Sequence, residues 1–205
     1  MSEPAPELLA PLLRALWAGH PSHRGRVLRA LERYDDATLS GEPVSGTFRR
    51  LLGGESLEQL RHVGELIARR RLSAYTPELL ELLRGGEELR ARAERWLARV
   101  GPAPEELIEL AIDDEAPLTA RAAALRLLAK QLSAAQEPLT PQLRERVLPA
   151  LAERELHEPL LAVLGAEIED ALVDAAVAAN ERYGARLRGA RQRGRGAFLA
   201  PPRRE

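Results

Sequence analysis

Cysteine is absent from this 205-residue chain, which excludes disulfides and thiolate-held metal. Aromatic residues make up only 3%, so a core has to be built from Leu, Ala and Val. Lysine occurs once, at Lys130, leaving arginine as 29 of the 30 basic residues. A GC-rich coding sequence produces that bias, and so does a demand for guanidinium geometry. No alternating run of Val, Ile and Thr suggests a sheet. No stretch approaches the ~20 apolar residues of a membrane span. The N-terminal MSEPAPELLAPLL is acidic and broken by proline, unlike a signal peptide with its basic start. The expectation is a soluble cytoplasmic protein with no membrane partner.

What is present is helix-forming. Apolar residues account for 45% of the chain, and Leu and Ala both favour helix, so the fold class is all-α. The net charge of −1 is unevenly spread. Residues 185–205 hold seven Arg and one Glu, a charge of +6, so residues 1–184 carry −7. The chain therefore divides into a helical body, 1–184, and a basic Arg/Gly-rich tail, 185–205.

Along the body, apolar stripes alternate with Gly- and Pro-rich breaks. Helices are expected at Pro6–Trp17 and His23–Tyr34, then a turn-rich loop at Asp35–Gly46. A short helix follows near Thr47–Leu52, and another begins at the N-cap Ser56. Pro77–Arg84 and Glu87–Val100 flank a Gly85-Gly86 break. Glu105–Asp113 and Leu118–Leu132 come next. A Pro-containing link leads to Gln142–Arg154, and a last helix starts at Glu158-Pro159 and extends toward Tyr183.

The second helix of each pair repeats. HRGRVLRALERY (23–34) and LRARAERWLARV (89–100), offset by 66, match Arg24 with Arg90, Arg26 with Arg92, Arg29 with Arg95 and Arg33 with Arg99. Half that offset, 33, lands Val27, Ala30, Leu31 and Tyr34 on Leu60, Val63, Gly64 and Ile67. Further steps of 29 and 39 reach Ala120-Arg121-Ala122 and then Leu161, Leu164 and Ile168. Two helices per unit with periods of roughly 30–40 resemble HEAT repeats. The resemblance implies a right-handed α-solenoid of about five helical hairpins, with the second helices lining a concave binding face.

On that face the resemblance puts Arg26, Arg92 and Arg121 in register, with Arg29 and Arg95 as a second row and Arg33 and Arg99 as a third. One reading is an anion-seeking strip for a partner protein with an acidic surface. The other is a ladder of arginines paired with acids of neighbouring hairpins. In the tail, Arg186, Arg188, Arg191, Arg193 and Arg195 permit phosphate contacts, RNA in particular. The tail equally fits a docking peptide or a solubilising end.

Catalytic and metal signals are poor. His20 and His23 flank a turn with no carboxylate at ligand spacing. The Gly53-Gly54 and Gly85-Gly86 pairs lack the lysine and hydroxyl of a phosphate loop. Trp96 falls at a core position equivalent to Ala30 and Val63, which favours packing over an aromatic DNA groove. The expectation is a non-enzymatic scaffold without metal or cofactor that binds another protein, with a nucleic-acid-associated protein as the alternative.

Overall fold

The Leu- and Ala-rich segments fold as helices, and no strand occurs among the described residues of the computed structural model, which are 6–18, 21–54 and 56–164. The chain divides between Pro102 and Ala103 into two compact units. The division falls in the Gly101–Pro104 link that the sequence marks as a break. Gly101 takes a left-handed φ of 76° and its N–H closes the preceding helix onto the Leu97 carbonyl. Pro102 follows this stop.

The first unit contains α1 (Leu9–Ala18), α2 (Pro21–Leu31), α3 (Asp36–Ser40), α4 (Val44–Leu52), α5 (Leu57–Arg70), α6 (Thr76–Glu81) and α7 (Glu87–Val100). Helix α1 packs on α2, α4 on α5, and α6 on α7. The first members of these pairs adjoin one another, α1 to α4 and α4 to α6. The second members do the same, α2 to α5 and α5 to α7. Their shared interior contains Leu28 and Leu31 of α2, Phe48 and Leu51 of α4, Leu60, Val63 and Ile67 of α5, and Ala93 and Leu97 of α7, all buried. Of the positions aligned by the repeat, Val27, Leu60 and Ala93 are buried, while Ala122 in the second unit is only half-buried.

The expected loop at Asp35–Gly46 is in part helical. Asp35 caps α3 by accepting from the Thr38 N–H at 2.6 Å, so the Asp35-Asp36 pair starts a helix where the sequence suggested a break. That backbone hydrogen bond, with a second from the Thr38 side chain, holds the Asp35 carboxyl below its usual value. Tyr75 also anchors α3. Its ring lies 5.7 Å from Phe48, centroid to centroid, and its hydroxyl donates to the Leu39 carbonyl. Burial pushes the Tyr75 phenol well above its ordinary range.

The second unit contains α8 (Pro104–Ile112), α9 (Leu118–Ala135), α10 (Pro141–Val147) and α11 (His157–Leu164). Helix α8 packs on α9, α10 on α8, and α11 on α9. With neighbours on two sides, α9 buries Ala120, Ala123, Ala124, Leu125, Leu127 and Leu128. The continuous helix expected over Gln142–Arg154 does not form. It stops at Val147 and gives way to 3-10 turns at Leu148–Ala152 and Arg154–Leu156. Pro149 supplies the reason, since it has no N–H to donate and its ring crowds the preceding turn. The last helix is described only as far as Leu164, so its expected run toward Tyr183 lies outside the described residues.

One glycine is fixed by packing. A Cβ added at Gly64 in α5 would sit 2.7 Å from three ring atoms of Trp96 in α7, and Trp96 is only 4% exposed. Replacing Gly by Ala inside a helix gains about 1 kcal/mol of propensity. Overpacking a buried rigid ring costs about 1–3 kcal/mol. The crowding should win, so Gly64→Ala is expected to lower the urea midpoint by about 1 kcal/mol in equivalent stability. An unchanged or raised midpoint would show that the indole yields freely.

Candidate functional site

Helices α2, α5 and α7 present their outward residues at intervals of three and four, the spacing that keeps side chains on one face. On α2, Arg26 and Arg29 are exposed, and neither pairs with a carboxylate among the described residues. On α7 the arginines differ from one another. Arg92 is half-buried and paired with Glu88 at 2.7 Å, one turn away. Arg95 is exposed, its Nε donating to its own helix at the Ala91 carbonyl, 3.2 Å away. Arg99 crosses to α5 and pairs with Glu65 at 2.7 Å.

Arg121 is a correction to the sequence reading. It is 3% exposed, and its Nε donates to the Ala111 carbonyl at 2.9 Å, at the end of α8. Its other guanidinium contact is Asp114 at 3.6 Å. Arg121 closes the α8–α9 turn from inside and is not on a binding surface. Periodicity puts it on the flank of the apolar stripe, but α9 packs against both α8 and α11, and at Arg121 that flank is buried.

The tail arginines Arg186, Arg188, Arg191, Arg193 and Arg195 lie outside the described residues.

Other arginines carry structural roles the sequence did not reveal. Arg70, at the end of α5, donates to Asp36 at 2.6 Å and to the Glu32 and Tyr34 carbonyls at 2.8 and 3.2 Å. One guanidinium thus satisfies the turn after α2 and fixes α3. Arg49 reaches Glu78 at 2.8 Å, linking α4 to α6. Such exposed pairs contribute about 0–1 kcal/mol each, so their main effect is to orient neighbouring helices.

The space between α2 and α5 is a groove of about 440 Å³. Gly25, Leu28 and Arg29 line it from α2, and Arg61, His62, Glu65 and Arg69 line it from α5. Two of its charges are already engaged, Arg69 with Glu32 at 2.6 Å and Glu65 with Arg99. Arg29 and Arg61 have no carboxylate partner among the described residues. His62 Nδ1 lies 2.8 Å from the Glu58 carbonyl, which can only accept, so that nitrogen carries the proton. The groove therefore offers two unneutralised guanidiniums beside the apolar edge of Leu28. Arg61 is missed by the repeat because the 33-residue offset sets it opposite Leu28, while Gln59 and His62 fall opposite Arg26 and Arg29. The 61, 65, 69 spacing of charge on α5 was the available signal.

Among the described residues, no three His, Asp or Glu side chains are grouped as a metal ion requires. No helix among them is long and apolar enough to cross a membrane.

No family model, curated protein or solved structure matches the chain.

The two kinds of arginine can be separated by stability. Arg121→Ala removes a buried donor and leaves the Ala111 carbonyl short of a partner, with an expected loss of about 2–4 kcal/mol. Arg26→Ala should stay within about 0.5 kcal/mol of the parent. Urea titration of both variants checks this, and equal midpoints would overturn the division.

Proposed function

We propose that the chain is a non-enzymatic adaptor, a right-handed solenoid of about five HEAT-like hairpins that holds a partner protein along its second-helix face. The main support is the row α2–α5–α7 in the first unit, side by side and carrying Arg26, Arg29 and Arg95 outward. The pairing of α8 with α9 and of α9 with α11 in the second unit fits the same reading. Stacked helix pairs bury their apolar stripes against neighbours, and their remaining face is left for binding. Arginines lacking counter-ions there favour a partner with an acidic surface. The cytoplasm is the location this reading implies.

Arg26→Glu combined with Arg95→Glu tests the proposal while leaving Arg99 and Glu65 themselves unsubstituted. A partner retained at one-to-one stoichiometry by the parent chain should be lost by the double variant, with the helical circular dichroism unchanged. Retention of that partner by the folded double variant would remove this face from the binding surface.

A further inference from the structure

We propose that the groove between α2 and α5 is a site for an acidic peptide segment of a partner protein. An aliphatic side chain seats over Gly25 and Leu28, and flanking Asp or Glu carboxylates engage Arg29 and Arg61. This rests on reading the second-helix face as the binding face, and it gives that face a defined point of entry.

The first argument comes from Gly25. Glycine inside a helix is destabilising relative to alanine, so it needs a reason. Gly64 has one in the Trp96 ring. Gly25 has none among the described residues, because a Cβ added there would meet nothing of theirs within 4 Å, and its φ is not in the left-handed region. Its effect is to leave the α2 wall of the groove low.

The second argument is charge. Arg69 and Glu65 are held by Glu32 and Arg99, which leaves Arg29 and Arg61 as the groove's net charge. Two separated guanidiniums match two carboxylates along an extended or helical peptide, because each planar fork can take a carboxylate through paired N–H donors. The Glu65 carboxylate in the wall opposes a phosphate dianion more than it opposes singly charged carboxylates. A volume of about 440 Å³ is room enough to seat a side chain in an open groove.

The test uses the full chain and the peptide acetyl-EELEE-amide, with acetyl-EEGEE-amide, acetyl-KKLKK-amide and inorganic phosphate as comparators, followed by fluorescence anisotropy or NMR titration. The Leu-containing acidic peptide should bind most tightly, and its binding should weaken as salt is raised. Arg29→Gln with Arg61→Gln should weaken it by about tenfold or more, the scale of one charge-assisted hydrogen bond. Gly25→Leu should weaken it similarly, with the helical circular dichroism retained. If Gly25→Leu does not fold, Gly25→Ala and the double glutamine variant decide the matter.

Undiminished peptide binding in the folded groove variants overturns the proposal. So does phosphate competing as strongly as the peptide, which would make the site one for phosphate. Loss of binding only in Arg95→Glu also overturns it, yet leaves the second-helix face intact as the partner surface. A partner lost by the Arg26 and Arg95 charge reversals but unaffected by the groove variants has the same meaning.

Discussion

The first unit depends on how closely α5 approaches α7. At the crossing, Gly64 contributes no side chain and the Trp96 indole occupies the space a Cβ would need. Helix axes usually stand 8–10 Å apart, and the side chains at the contact set the value. Here a ring and a bare backbone set it, and the choice propagates. Helix α5 also packs on α4 and on α2, so the α5–α7 separation governs where Glu65 meets Arg99 and where the groove to α2 opens.

Arginine does three different jobs among the described residues. Arg70 and Arg121 reach carbonyl groups that helices leave unpaired at their ends. Arg49, Arg69 and Arg99 pair laterally with carboxylates of adjoining elements. Arg26, Arg29 and Arg61 project without such a partner among the described residues. The first job uses what distinguishes guanidinium from ammonium. Arg70 spans a carboxylate and two carbonyls from one planar fork, which a compact ammonium does poorly. Base composition can explain the number of arginines, but it cannot explain that geometry. Arginines paired with neighbouring acids and exposed arginines without a carboxylate partner are therefore both present among the described residues, at different positions.

The helices were legible because Leu and Ala recur at three- and four-residue spacing, and the break at Gly101–Pro104 was legible because Gly and Pro each stop a helix for a steric reason. Gly64 and Trp96 were placed correctly among core positions by the repeat offsets, although nothing in the offsets indicated that they touch. Helix α3 was missed because Asp is both a loop residue and a good N-cap, and only the Thr38 N–H decides between the two. Arg121 was misplaced because periodicity reports which side of a helix a residue occupies but not how many neighbours cover that side. The groove depends on two helices whose lining residues, Gly25 and Arg61, are far apart in sequence. Neither helix shows it alone.

The net charge of residues 1–184, −7, taken alone opposes an acidic partner. Distance and screening reverse that conclusion. At physiological ionic strength the Debye length is about 8 Å, so a carboxylate entering the groove responds to charges within a helix diameter and little beyond. Of the groove's lining residues, Glu65 and Arg69 are already paired, and Arg29 and Arg61 have no carboxylate partner among the described residues. The negative charge elsewhere opposes indiscriminate binding to nucleic acid phosphate, whose recognition depends on many simultaneous cationic contacts. Two local guanidiniums within an acidic body thus favour a short acidic segment over a long polyanion. On the proposed reading of the second-helix face as a partner surface, the local arrangement of charge, more than its total, sets which partner chemistry that face would accept.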